Sequence, residues 1–340
     1  MLQGAKARYR IFKYLACIRR NHAFVLCALL CIALLMLARG HAQPAHPVKW
    51  WPSEWGPEDQ RGAANRMTPQ KVLEATRLIN KGKVYQLGRL YEHGMPLPGE
   101  RHFSLTIPGS PTYGPSGKNR TVAFDEMFSG EIGQIGTQLD GLGHFGARIG
   151  SEDYFYNGFK RSEFARPYGF EKLGVENVGV FFTRGILLDV AGQRHVQRLQ
   201  PGYVITTAEL QACLESAGLK IHQGDAVLIR TGHGQLWIKD NKAFEAGEPG
   251  IGMDAARWLT GQKVTLIGSD NWAIEVVPHE DKQMNFPVHE WIITRNGAYN
   301  LENLDLEELA RDKVHEFAFI FAPLRLKGAT GSPGNPVAVN

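Results

Sequence analysis

Short apolar runs and amphipathic stretches take turns along the second half of the chain. The runs at 186–190, 225–230, 264–268 and 315–322 are rich in Val, Ile, Leu and Phe and too short for buried helices, so they read as strands. Between and after them, 207–218, 252–262, 287–296 and 305–312 carry apolar positions at helical spacing. Alternation of this kind predicts an α/β domain with a mixed sheet. Nearer the start, Thr68-Pro69 supplies an N-cap and a first-turn proline for a helix running through about Asn80 and stopping at Gly82. Strand-like stretches follow at 84–88 and 102–107, and Pro, Gly and Ser punctuate a loop at 108–117. Residues 43–67, with Trp50, Trp51 and Trp55, read as an extended arm whose aromatic rings dock on the core or on a partner subunit. No internal repeat or linker divides 43–340, which is read as one domain.

The first 42 residues follow a different pattern. Lys6, Arg8, Arg10, Lys13, Arg19 and Arg20 precede an apolar run from Ala23 to Ala38, and Gly40 and Ala42 supply small residues before a cut. This is the layout of a secretory signal peptide, or of an uncleaved signal anchor, and predicts an exported protein, periplasmic or secreted. Seven of the 38 Lys and Arg and none of the 34 Asp and Glu lie there, so the overall +4 becomes −3 without them. A near-neutral remainder with no basic cluster has no electrostatic footprint for nucleic acid. Of the 4 cysteines only Cys213 lies beyond this segment, which excludes an intrachain disulfide and a Cys-rich zinc site in the mature chain. Cys213 sits in a helical pattern and reads as a buried, inert thiol.

Candidate chemistry concentrates in Gln134-Ile-Gly-Thr-Gln138-Leu-Asp140-Gly-Leu-Gly-His144. Period-2 spacing places Gln134, Gln138 and Asp140 on one face of a strand, and His144 can fold back past two glycines. A carboxylate, two amide oxygens and an imidazole could hold a divalent cation or orient a water. The same residues also suit a Gly-rich turn with a capping Asp. Asp270 and Trp272 end one apolar run and Arg230 and His233 another. These are substrate-pocket candidates, with Arg230 as a carboxylate clamp. A cap at Asp270 with a packed Trp272, and a structural ion pair at Arg230, are the plainer readings. No Gly-x-Ser-x-Gly elbow, phosphate loop or well-placed dinucleotide fingerprint occurs, which argues against serine-hydrolase and nucleotide chemistry.

The central segment resembles the cyclase-family motif His-x-Gly-Thr-His-x-Asp-x-Pro-x-His. Gly136, Thr137, Asp140 and His144 match it, whereas Gln134 and Gln138 stand in place of the metal-binding histidines and Leu142 in place of the proline. The resemblance extends to His289 in Pro287-Val-His289 and to Glu302, at the family's distal metal positions. It also extends to Trp55-Gly-Pro-Glu-Asp-Gln60, to Leu228-Ile-Arg-Thr-Gly232, to Gly268-Ser-Asp-Asn-Trp272 and to the ending Gly328–Pro336. It implies an α/β fold of the swivelling β/β/α type with a mixed sheet, a homodimer, and a small-molecule amide or lactone hydrolysed with the help of a metal ion, as in kynurenine formamidase or isatin hydrolase. Under it, Asp140, His289 and Glu302 hold a divalent metal ion, manganese or zinc, with Gln138 or Gln134 as a weak oxygen ligand and His144 as the catalytic base. Replacing imidazoles by carboxamides shifts the expected preference toward oxygen-loving manganese. The alternatives are a metal-free ligand-binding protein, or a cyclase or dehydratase using Asp140 and His144 as an acid–base pair.

Overall fold

The strand Ala226–Arg230 is buried at all five positions, as a run without polar alternation must be when both faces of its sheet are covered. It lies at the heart of a computed structural model that describes residues 49–340; the predicted signal segment and the first residues of the arm lie outside the described residues. Among the described residues nine strands form one mixed sheet, in the order Val84–Gln86, Val337–Val339, Glu316–Phe321, Phe181–Asp189, Ala226–Arg230, Leu266–Ser269, Tyr299–Glu302, Gln138–Asp140, Gly331–Pro333. The middle four run parallel and the flanking pairs are antiparallel. Phe181, Phe317, Phe319, Phe321 and Tyr299 are fully buried and supply much of the core. The Phe317 ring lies over Gly185, where a Cβ would come within 2.2 Å of it.

The helices start where the sequence says they should. Thr206 and Glu209 form a reciprocal capping box before Thr207–Ala217, which ends at Gly218 in the left-handed conformation. Thr68 caps Pro69–Thr76 by accepting from the Lys71 backbone N–H. That helix ends at Thr76, short of Asn80, and Ile79 beyond it is 39% exposed, so little apolar burial is available to carry it further. The expected helix at 287–296 is one turn, Pro287–His289, continued as a π-helical segment Glu290–Arg295. The expected loop at 108–117 contains Tyr113–Ser116, paired antiparallel with Thr121–Ala123 beside a second ribbon of Phe103–Thr106 and Met127–Gly130. The arm docks on its own chain: the Trp50 indole N–H donates to the Phe155 carbonyl at 3.2 Å, and Trp51 stacks on Tyr154 with centroids 5.0 Å apart. No helix among the described residues is long and apolar enough to cross a membrane.

Candidate metal centre

Sheet register assembles the site. The strand Gln138–Asp140 runs antiparallel to Tyr299–Glu302, with Gln138 opposite Glu302 and Asp140 opposite Asn300. Directly opposed residues share a face, and residues two apart on one strand share it too, so Gln138, Asp140, Asn300 and Glu302 all point the same way. The Gln138 amide accordingly donates to Glu302 Oε2 at 2.9 Å. His289 arrives from the turn after Phe286, whose left-handed backbone (φ 49°) precedes Pro287 at the first helical position. Asp140, His289 and Glu302 then offer ligand atoms that all lie within 4.8 Å of one another. His289 Nε2 is 3.1 Å from Glu302 Oε1 and 3.6 Å from Asp140 Oδ2. His144 Nε2 is 3.7 Å from the other oxygen of Asp140.

The donor set fits a divalent cation. Asp140 is 1% exposed and neither of its carboxylate oxygens has a hydrogen-bond partner. The His289 and His144 imidazoles stand 3.6 and 3.7 Å away, too far for hydrogen bonds, so the buried carboxylate has charge nearby but no donor, and a directly bound cation would supply what it lacks. Gln138 Oε1 and both amide atoms of Asn300 are likewise buried without partners. Burial opposes a charge on His289, but the hydrogen bonds and negative charges of Glu275 and Glu302 outweigh it and hold its pKa well above the ordinary value. Glu302 is raised, by burial first and by the charge of Asp140 second. Cation binding at such a cluster displaces protons. His144 is shifted the opposite way, below its ordinary value, because burial outweighs the attraction of Asp140. It is therefore neutral near pH 7 and able to accept a proton.

Glu275 was not visible from sequence spacing. Its carboxylate accepts from His289 Nδ1 at 2.5 Å and from the His289 backbone N–H at 3.0 Å. This fixes the ring so that Nε2 faces Asp140 and Glu302, an arrangement that orients metal-binding histidines elsewhere. A lone acid in the apolar stretch Ala273-Ile-Glu-Val-Val277 was the available signal. Glu248, fully buried, accepts from the backbone N–H groups of Trp272 and Ala273 and so holds the turn that carries Glu275. Phe145 and Phe286 pack on the His289 ring at 4.7 and 5.4 Å, and Trp272 stands 6.4 Å from Phe286. These rings form apolar walls beside the acid cluster.

The other candidates are placed as follows. Gln134 is not on the strand: Gly136, with φ 61°, turns the chain between it and Gln138, and its amide, buried and unpartnered, lies against Gly331. Asp270 caps no helix; its oxygens accept from the Thr231 and Gly232 backbone N–H groups at 2.8 Å and close the turn after Ala226–Arg230. His233 is buried and stacked on Phe244, whose carbonyl its ring meets at 3.0 Å. Arg230 pairs with Asp189 and Glu307, each at 2.8 Å. These contacts occupy Asp270, His233 and Arg230 structurally, and only Trp272 of the four reaches the aromatic wall.

Known proteins point the same way as the motif. No curated protein matches the chain. A crystal structure described as a novel cyclase is 34% identical, covers 84% of this chain and 96% of its own, and superposes with a TM-score of 0.75. Isatin hydrolase A from Ralstonia solanacearum shares the fold at 21% identity, covering 80% of this chain and 98% of its own with a TM-score of 0.56. Isatin hydrolase A from Labrenzia aggregata, bound to benzyl benzoate, does so at 18% identity, 75% and 93% coverage and a TM-score of 0.53. The family model named Cyclase matches residues 85–276, a span that includes Gln134, Asp140, His144 and Glu275. With more than half of its length matched and a relative above 30% identity along most of it, the chain belongs to the cyclase family.

Proposed function

We propose that the chain is a metal-dependent hydrolase that cleaves the amide C–N bond of a small arylformamide or cyclic amide, or opens a lactone. The observation that carries this reading is Asp140: a buried carboxylate whose two oxygens accept no hydrogen bond, facing His289, Glu302 and His144. Asp140, His289 and Glu302 would hold the cation, with the Gln138 amide oxygen beside them. Bound there, a divalent cation supplies Lewis acidity, polarising a carbonyl and lowering the pKa of water. His144, neutral through burial, takes a proton from the attacking water and returns it to the leaving nitrogen or oxygen as the bond to the carbonyl carbon breaks. Phe145, Phe286 and Trp272 exclude bulk solvent from the carbonyl. The isatin hydrolases that share the fold support a cyclic amide as one substrate type.

With one imidazole and several oxygens, the donor set favours manganese over zinc. Export rests on the basic and apolar pattern of residues 1–42, and a homodimer on the family resemblance. Elemental analysis of the purified protein and of Asp140→Ala is the direct test. Near-stoichiometric metal that disappears in the variant, with amide or lactone hydrolysis in the wild type, is the expected result. Wild type that takes up no metal from excess manganese or zinc would replace this reading with metal-free binding or acid–base chemistry.

A further inference from the structure

The acid cluster has a corner that the ligand set above leaves unused. Gln138 and Asp140 on one strand stand opposite Glu302 and Asn300 on the next, so the four side chains form a square patch on one face of the sheet. Asp140 and Glu302 occupy one diagonal of the square, with ligand atoms within 4.8 Å of each other and of His289. Gln138 and Asn300 occupy the other diagonal. The Gln138 side-chain nitrogen is engaged by Glu302 at 2.9 Å, which leaves its oxygen as the free end. Asn300 has both ends free: it is fully buried, and neither amide atom has a hydrogen-bond partner.

Other buried asparagines nearby are engaged. Asn271 donates to the Pro249 carbonyl at 2.6 Å and accepts from the Ile274 N–H at 3.0 Å, and Asn303 donates to the Gly136 carbonyl at 2.8 Å. Those carboxamides hold turns, whereas Asn300 lies within the strand Tyr299–Glu302 and its side chain holds nothing. A buried carboxamide without partners disfavours folding, and a leucine of similar size would fill the place without that cost. The other flank of Asp140 is built in the same sense. Gly331 stands opposite Asp140 there, and a Cβ on it would come within 2.7 Å of the Gln134 side-chain nitrogen. The missing side chain makes room for the Gln134 amide, which is again without partners. Asp140 is thus flanked on both sides by carboxamides whose polar atoms are unclaimed among the described residues.

We infer that Asn300 is a further ligand of the cation, giving its Oδ1 from the corner that Asp140, Glu302 and Gln138 leave open, and that it tilts the site toward manganese. This rests on the reading of the site as a metal centre. Zinc is satisfied by about four ligands, which Asp140, His289, Glu302 and one water would supply. Manganese takes about six, mostly oxygens, so a carboxamide oxygen at the fourth corner matters more to it.

Asn300→Leu and Asn300→Asp test this. Manganese and zinc are titrated by calorimetry into the chelator-treated full chain, and the melting temperature of each metal-free protein is recorded alongside. Asn300→Leu is expected to lose about tenfold or more of the manganese affinity while zinc affinity stays within about threefold. Its metal-free melting temperature should equal or exceed that of wild type, because the unpartnered amide is gone. Asn300→Asp, which restores an oxygen, should bind manganese at least as tightly as wild type. Manganese affinity of Asn300→Leu within about twofold of wild type, equal losses for the two ions, or weaker manganese binding by Asn300→Asp than by wild type would overturn the inference. If the leucine variant does not fold, the aspartate variant decides alone. Manganese uptake that needs Asp140 but not Asn300 removes only this inference. A wild type that takes up neither ion removes the metal-centre reading beneath it.

Discussion

Glu275 acts on the site through another residue. Its carboxylate accepts hydrogen bonds from Nδ1 and from the backbone N–H of His289. Removing its charge frees the ring to turn and makes Nε2 a poorer ligand, so Glu275→Gln should weaken manganese affinity about 10–100-fold in a calorimetric titration. An unchanged affinity would show that the ring is held by Phe145 and Phe286 instead. His144 is a separate matter, since its role is to move a proton. His144→Ala should keep the metal and lower kcat by about 10²–10⁴-fold, seen as full occupancy by elemental analysis alongside slow turnover. Cys213 belongs to neither group. Burial pushes its thiol up to about 12, so the folded chain keeps a proton that the unfolded chain gives up above about 8.5. Stability from this group is therefore present at neutral pH and lost as pH rises through that window. At pH 8 iodoacetamide should label Cys213 far more slowly in the native protein than in urea, and comparable rates would mean an exposed thiol.

At the scale of elements, most of the fold was legible because its signals are local. The helical spacing at 207–218 became Thr207–Ala217, where the structure adds a Thr206–Glu209 capping box, and the apolar runs at 225–230 and 264–268 became the buried strands Ala226–Arg230 and Leu266–Ser269. Losing the Thr206 hydroxyl leaves a helix N–H unpaired. Thr206→Ala should cost about 1 kcal/mol and lower the thermal midpoint by a few degrees, measured by circular dichroism. The misses came where tertiary context overrode spacing. Gln134 has the period-2 position of a strand residue, but Gly136 adopts a left-handed turn against the Tyr91 ring, so the strand begins only at Gln138. The apolar spacing of 287–296 is helical, but it does not reveal that the backbone widens into a π-helical turn after His289. Such widened turns occur often at functional sites, and this one directly follows a candidate ligand.

At the scale of the whole molecule, residues far apart in sequence share one buried acid cluster, and the sheet alone brings them together. The central motif marked Asp140 and His144 through composition, and the family resemblance marked His289 and Glu302. Nothing local could reveal that Glu302 pairs across from Gln138, or that Glu275 backs His289, because both depend on strand order and on the turn after Leu266–Ser269. The cluster has a consequence for stability. Asp140, Glu302, Glu275 and Glu248 are all buried, and without a cation their desolvation weighs against folding. A ligand that binds only the folded state adds about 2.7 kcal/mol at a hundred times its dissociation constant. Chelation should therefore lower the melting temperature by several degrees, and manganese should restore it. Asp140→Ala separates this linkage from ordinary structural damage: it should show no response to chelator or metal, and should melt no lower than the chelated wild type, because it deletes the buried carboxylate that the cation would otherwise offset. If Asp140→Ala melted well below the chelated wild type, Asp140 would be holding the fold together through its own contacts, and the case for a cation at this site would lose its main physical support.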